Sequence, residues 1–486
     1  MKKVYIIIFV CLLSLSGCNE LLDNKPYSII TSDNMWSTES EVKAGAVGMY
    51  DQFRTTFNDY DFLIYFELRS GFWQVGKSGG AQWDDLFMNT PNASSTPSLD
   101  WSSMYKLINS ANLVLKYAPL TKFSNQDDAS NLLADAYFIR AYTYFALVRI
   151  FGEVPISILP YESYDDENLF PSRKSVSEVF TLIKSDIENA LSNIKDKSVR
   201  DRIKPSEAAI NMLKADVYLW TAKRLQGGKP DFQIAQAAAD LVLKNPNYSL
   251  LGNYQDVFRI EQNNEIILSI YFDKLEKNNQ YGIRFLYQTS QVEAALRNSP
   301  IPVGSNAQWL TFNDHYINTY LLKTAGDTRS AINCQNYING KNKYRWINKY
   351  LGEWINETRE NTSDTRLYRF AEAILFNAEA LNGIDQTSLA IIELNKIAKR
   401  AYGKDNFYAS NMTKDAVDQA ILTERLIEFG AEGKSWMDFV RFGKAFTLIP
   451  TLVGKENNNA GNILLLPVAI STLSKNPNIK QTPGFE

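Results

Sequence analysis

A mainly α-helical fold of stacked helix pairs, an α-α superhelix, is what the sequence predicts, and three observations predict it. Apolar residues recur at three- and four-residue steps through most of the chain. Capping and terminating residues punctuate those stretches. Alanine is frequent on the apolar faces, which lets helices approach closely. Helix pairs recurring at roughly 34 residues are the mark of tetratricopeptide-like stacking; its strict consensus is absent here, so the period alone is a weak signal.

The elements follow in order. "TSDNMWSTESEVKAGAVGMYDQF" offers Ser37 or Thr38 as a cap, ahead of a helix carrying Val42, Ala46, Met49 and Phe53. "WSSMYKLINSANLVLKYA" is a second helix. In "NLLADAYFIRAYTYFALVRIFGEVP", Leu133, Tyr137, Ala141, Tyr144 and Val148 form one continuous stripe, and Gly152 and Pro155 end it. Ser175 and Glu178 have capping-box spacing before "VFTLIKSDIENALSNI". Ala209, Leu213, Val217 and Trp220 line the next helix, and "DFQIAQAAADLVLKN" closes the set. From 246 to 365 the helical period fades and Asn, Gly and Pro become frequent, with "NEIILSIYF" as one strand. Helices return with "TRLYRFAEAILFNAEALNG", "SLAIIELNKIAKRA" and "DAVDQAILTERLIEFGAEGKSWMDFVRFGKAF", before an extended, Pro-rich end.

The amino end has a different character. Lys2 and Lys3 precede residues 4–15, apolar apart from Ser14 and too short to span a bilayer, which takes roughly 20 residues. This fits the core of an export signal. Leu15-Ser16-Gly17-Cys18 resembles a lipobox, so residues 1–17 are expected to be removed and Cys18 acylated. Cys11 would leave with the signal, Cys334 would remain as a lone thiol, and no intramolecular disulfide could form. Asn19, rather than Asp, after the cysteine points to the outer membrane. Residues 18–486 are read as a single domain: a helical scaffold over 36–245, a loop-rich side over 246–365, and terminal helices with an extended tail over 366–486.

Composition excludes several classes. The 486 residues carry a formal net charge of −3, so there is no nucleic-acid footprint. With Cys11 in the export signal and Cys18 at the lipid anchor, Cys334 and the single histidine, His315, leave too few ligands for a Cys/His zinc site and only one base for a Ser-His-Asp device. Tyr and Phe number 26 each and Trp 9, enough for a large core or a stacking surface, and composition does not separate the two.

Several blocks together resemble the SusD/RagB family of outer-membrane lipoproteins: "CNELLDNKP" after the lipobox, W-x-T-E at 36–39, "FIRAYTYFALVRIFGEVPI" at 138–156, "PSRKSVSEVFTLIKSDIENAL", "RFAEAILFNAEALN", "LTERLIEFGAEGKSWMDFVRFGK" and the terminal "NPNIKQTPGF". At Thr482 the family more often has Asn. The resemblance implies a tetratricopeptide-like helix-pair scaffold whose long loops and small strands carry a ligand site. It also implies a cell-surface lipoprotein, tethered to the outer membrane through Cys18, that binds oligosaccharide and delivers it to a SusC-like TonB-dependent transporter without catalysis. Peptide capture on the same scaffold is the alternative, and a glycoside hydrolase a more distant one.

Sugar recognition needs flat apolar rings for C–H faces and planar polar groups for hydroxyls. Two stretches mix these in loops. Residues 67–85 hold Arg69, Phe72, Trp73, Gln74, Trp83 and Asp84 among glycines; residues 280–314 hold Tyr281, Arg284, Phe285, Tyr287, Asn306, Gln308 and Trp309. For each ring, packing in a satellite cluster beneath the loop is an equal alternative. Trp101, Trp220 and Trp436 read as core. Glu372 and Glu379 share a helix face, and Glu424, Arg425, Glu428 and Arg441 form a charged cluster best read as buried ion pairs. No cofactor is called for; a structural calcium ion held by loop carboxylates stays open as an alternative, although no loop spells a recognisable site.

Overall fold

The computed structural model describes residues 35–58, 60–94, 99–162, 169–457 and 462–485. The export signal, the lipobox and Cys18 lie outside these residues. Among the described residues no helix is long and apolar enough to cross a membrane.

Helix α1 (Glu39–Thr56) starts at Thr38, not Ser37: Thr38 Oγ1 accepts from Glu41 N–H while the Glu41 carboxylate accepts from Thr38 N–H at 2.8 Å. Then come α2 (Tyr60–Phe66), α3 (Ser102–Tyr117) and α4 (Gln126–Phe151). The stripe read on α4 is only part of its buried surface, because from Ala134 to Phe151 nearly every side chain is covered. A helix enclosed on several sides shows weak amphipathicity. The predicted box at Ser175 and Glu178 opens α5 (Val176–Asn193), followed by α6 (Glu207–Arg224) and α7 (Gly228–Leu243). After the loop-rich excursion stand α8 (Phe370–Gly383), α9 (Thr387–Tyr402), α10 (Lys414–Glu428) and α11 (Ser435–Arg441).

Packing runs α1 on α3, then α3 on α4, α4 on α5, α5 on α6 and α6 on α7. Helix α7 packs on α8, and α8 on α9 and α10, so the stack broken in sequence is continuous in space. Small residues make this contact close: Ala235, Ala238 and Ala239 on α7 and Ala371, Ala373, Ala378 and Ala380 on α8 are all buried. A Cβ at Gly383 would come within 2.4 Å of the Phe232 ring. The architecture is thus a tetratricopeptide-like stack of helix pairs with small strands.

Those strands form two-stranded pairs: β1 (Trp73–Val75), β2 (Val154–Pro155), β3 (Arg173–Lys174), β4 (Ile266–Ile270), β5 (Tyr287–Gln288), β6 (Val303–Gly304), β7 (Leu310–Phe312), β8 (Gln335–Asn339), β9 (Asn342–Trp346), β10 (Glu353–Ile355), β11 (Thr358–Glu360) and β12 (Thr365–Arg369). The pairs are β1–β7, β2–β3, β4–β12, β5–β6, β8–β9 and β10–β11. Antiparallel β4–β12 closes the base of the excursion, and every position on both strands is buried. This corrects the helical reading of "TRLYR". Residues 365–369 are strand because β4 supplies a partner, and α8 starts only at Phe370. The stretch read as helical from 415 to 446 also breaks, where Ala431 and Gly433 take φ of 64° and 74° between α10 and α11. Above the base lies a second small core of Leu286, Tyr287, Val292, Ile301, Val303, Tyr344 and Trp346.

Candidate functional site

The two aromatic loop stretches meet. In the β1–β7 ladder Trp73 stands opposite Phe312, Gln74 opposite Thr311 and Val75 opposite Leu310. The chain continues the pairing past β1, with Gly76 N–H donating to Trp309 O at 2.7 Å and Ser78 N–H to Gln308 O at 2.9 Å. Here the glycines are needed for close approach: a Cβ at Gly76 would lie 2.7 Å from Gln308 O, and one at Gly79 2.3 Å from Trp309 O.

Strand alternation then sorts the candidates. Trp73 points inward, 4.6 Å from the Phe312 ring centroid and 5.6 Å from Phe285, while Gln74 points to solvent. Phe72 stacks on Tyr316 at 4.3 Å. Tyr281 is fully enclosed and donates its hydroxyl to Ala431 O at 2.7 Å. Tyr287 belongs to the second core, and its hydroxyl accepts from Arg345 N–H at 2.9 Å. Trp83 is buried. Of the two readings open for these five rings, ligand contact or packing beneath the loops, their burial favours packing: none is more than 5% exposed. Arg69 is corrected to a structural role. Its guanidinium is buried over the Trp436 ring at 4.3 Å and donates to Asn89 Oδ1 and to the carbonyls of Ile463, Leu464 and Leu465, tying the terminal segment down. Gln308 is likewise spent, donating to Phe285 O at 3.0 Å and Arg345 O at 2.7 Å.

What stays open is a smaller set. Gln74, Asp84 and Asn306 are exposed, and Trp309 is half-buried. The Arg284 guanidinium lies 4.1 Å from the Trp309 ring centroid, and Trp83 packs beside Trp309 at 5.7 Å with 46° between the planes. Trp309 is thereby held by a cation and a second indole while part of it remains accessible.

Sequence reasoning missed one ring. Trp354 on β10 is 40% exposed and stands opposite Arg359 on β11, whose guanidinium is 5.6 Å from the ring centroid. Asn356 and Glu357 close this hairpin with φ of 48° and 62°, the left-handed pair of a two-residue turn. The alternation in "EWINETRE" around that turn was the available signal.

The acidic residues are neutralised inside. Arg425 bonds Glu372 at 2.8 Å and Asp438 at 2.9 Å, and Arg441 bonds Glu379 and Asp216 at 3.0 Å each. Glu428 contacts Arg329, Arg369 and Arg400. Burial pushes the Glu428 carboxyl up, but the guanidiniums of Arg400, Arg369 and Arg329 outweigh it and hold the group well below the usual carboxylate range. The ion-pair reading of this cluster matches the structure. Among the described residues no group of three or more His, Cys, Asp or Glu is placed to hold a metal ion.

Comparison with known proteins adds two family matches, one described as "Starch-binding associating with outer membrane" over residues 20–219 and one as "SusD family" over residues 305–485. A SusD-like protein of Formosa agariphila is 26% identical, covering 99% of this chain and 99% of its own. A SusD-like protein of Bacteroides ovatus is 23% identical over 94% of this chain and 85% of its own. Among solved structures, B. fragilis NanU superposes with a TM-score of 0.82 at 26% identity, covering 95% of this chain and 99% of that one. A laminarin-binding SusD-like protein superposes with a TM-score of 0.73 at 24% identity, covering 92% and 100%, a likeness of fold.

Proposed function

The chain belongs to the SusD/RagB family, and from that premise we propose that it is a lipid-anchored cell-surface protein that captures an oligosaccharide and delivers it to a SusC-like TonB-dependent transporter. The family is one of carbohydrate-binding proteins associated with the outer membrane, and the chain is a binding protein rather than an enzyme. Carbohydrate binding by a laminarin-binding protein of the same fold is in keeping with this reading.

The observation that carries the proposal is a pair of tryptophans with accessible ring surface, Trp309 and Trp354, each held by an arginine on the loop-rich side. An indole face takes the C–H side of a pyranose, and the exposed Gln74, opposite Thr311 in the β1–β7 ladder, and Asn306, three residues before Trp309, offer both donor and acceptor groups for hydroxyls. Each such stack contributes about 0.5–1.5 kcal/mol beyond burial, so capture on either ring is weak and serves hand-over better than storage.

Calorimetric titration against oligosaccharide and peptide panels tests the reading. A cognate oligosaccharide should bind wild type, and Trp309→Ala or Trp354→Ala should weaken it about tenfold. Binding confined to peptides would replace oligosaccharide with peptide as the cargo, and release of shortened product would refute a pure binding role. Cys18→Ala should shift the protein from the membrane to the soluble fraction.

A further inference from the structure

The Trp354 hairpin carries an uneven distribution of charge. Two of its three acidic side chains, Glu353 and Glu360, face each other across the ladder and by strand alternation lie on the side opposite Trp354 and Arg359, while the third, Glu357, sits in the turn. On the tryptophan side, Arg359 donates to Val303 O at 2.6 Å, to Leu351 O, and to Asn298 Oδ1 at 2.8 Å. All three acceptors are neutral. Arg259 donates to the carbonyls of Phe258, Asn348 and Lys349 and to the Asn348 amide oxygen, so it and Arg359, which donates to Leu351 O, line one backbone segment, 348–351, where Arg366 and then Arg359 repel it. Neither arginine pairs with a carboxylate among the described residues.

Other arginines in the protein also bond carbonyls alone. Arg69 likewise bonds only neutral oxygens, those of Asn89, Ile463, Leu464 and Leu465, but its guanidinium is buried against the Trp436 ring. Arg359 differs in its neighbour, a ring with an open face at the surface. Burial draws both Arg259 and Arg359 down to about 10, so each keeps its proton at neutral pH and the hairpin face keeps its positive charge. A partly desolvated cation without a counter-charge gains from any anion that reaches it, and a guanidinium matches the planar oxygen pair of a carboxylate or two oxygens of a sulfate.

We propose that Trp354, Arg359 and Arg259 form a subsite for an anionic sugar, with the ring stacking on the pyranose and the guanidiniums facing a carboxylate or sulfate substituent. This rests on the oligosaccharide reading above and narrows its cargo to acidic glycans. The uncharged face of such a sugar meets the indole while its anionic group lies over the paired arginines, so one residue of the glycan satisfies both features at once.

The test titrates the protein with an oligogalacturonate, a sulfated galactan oligosaccharide and an uncharged gluco-oligosaccharide of equal length. At least one anionic probe should bind about tenfold or more tighter than the uncharged one, and its affinity should fall several-fold as salt rises from about 50 to about 500 mM. Preference between the two anionic probes tells carboxylate from sulfate. Arg259→Gln should lower anionic binding about three- to tenfold and leave the uncharged probe unchanged; it is the main variant because Arg359 also anchors the hairpin to Asn298 and Val303. Arg359→Lys keeps the charge without the fork and should lose part of the preference. Equal, salt-insensitive binding of charged and uncharged probes that Trp354→Ala still weakens would overturn the anionic subsite and leave oligosaccharide capture standing. Failure of all three probes, with peptides binding instead, would overturn both.

Discussion

The guanidinium of Arg284 sits 4.1 Å from the centroid of Trp309 and fixes a half-buried indole at the seam of two loops. A cation over a ring face contributes about 0.5–2 kcal/mol, more when desolvated. Arg284→Ala should therefore weaken oligosaccharide binding about three- to tenfold by freeing the ring, and Arg284→Lys should restore part of it. Far-UV circular dichroism should stay unchanged in both. Titration of Arg284→Ala at wild-type affinity would separate Trp309 from the ligand.

Trp73 serves the interior. It is 4% exposed, packs on Phe312 and Phe285, and places its Nε1–H 3.4 Å from the Glu67 carboxylate. Removing a buried indole costs about 3–5 kcal/mol. Trp73→Ala should shift the urea midpoint accordingly, with any binding defect following from loss of the β1–β7 seam. A Trp73→Ala protein of wild-type stability that fails to bind ligand would return this ring to the site.

How far the sequence reached depends on the range of the interactions involved. Thr38, Ser175 and Glu178 were readable because a cap is decided within four residues, and the end of α4 at Gly152 likewise. The β12 strand was not, since "TRLYR" becomes a strand only against β4, about a hundred residues earlier in the chain. The glycines at 76 and 79 look like an open binding loop, yet they let one strand's backbone press on another's. That long-range contact turned Trp73 and Trp83 into core and left Trp309 at the edge. Conversely, charges clustered on apolar helices do announce burial. Glu372, Glu379, Arg425 and Arg441 are paired as their setting required.

The same pairing sets a cost for mutation. Arg425 is 1% exposed and holds Glu372 and Asp438. Arg425→Met fills much of the volume but leaves two buried carboxylates short of a counter-charge, and breaking such a pair costs about 3–5 kcal/mol. Urea unfolding should show a loss of that size. A double change to Arg425→Met with Glu372→Gln should recover part of it, because one orphaned charge is gone. If the single variant lost less than about 1 kcal/mol, the network would not be a stabilising unit.

Glu67 gives the protein a pH dependence that runs against the usual carboxylate pattern. The side chain is fully buried and accepts from Gly433 N–H at 2.7 Å and Lys434 N–H at 3.1 Å, joining the start of the Trp73 loop to the turn between α10 and α11. Burial pushes its carboxyl up from 4.5 to about 7, further than those two N–H groups pull it down. Asp364 is also raised to about 7, by burial and then by Glu261. A group whose folded value exceeds its unfolded one stabilises the fold fully below the unfolded value, and that contribution fades as pH rises through the folded value. Glu428 and Glu432, held low by their arginines and Lys349, act in the opposite sense and lose their contribution in acid. Stability should therefore peak near about pH 5 and fall by about 1–3 kcal/mol towards pH 8. Glu67→Gln keeps an oxygen for Gly433 and Lys434 but cannot ionise, so it should flatten the decline while losing the contact with Trp73 Nε1–H. Urea midpoints of wild type and variant from pH 5 to 8 decide it: parallel curves would mean that ionisation of Glu67 contributes nothing to the loss.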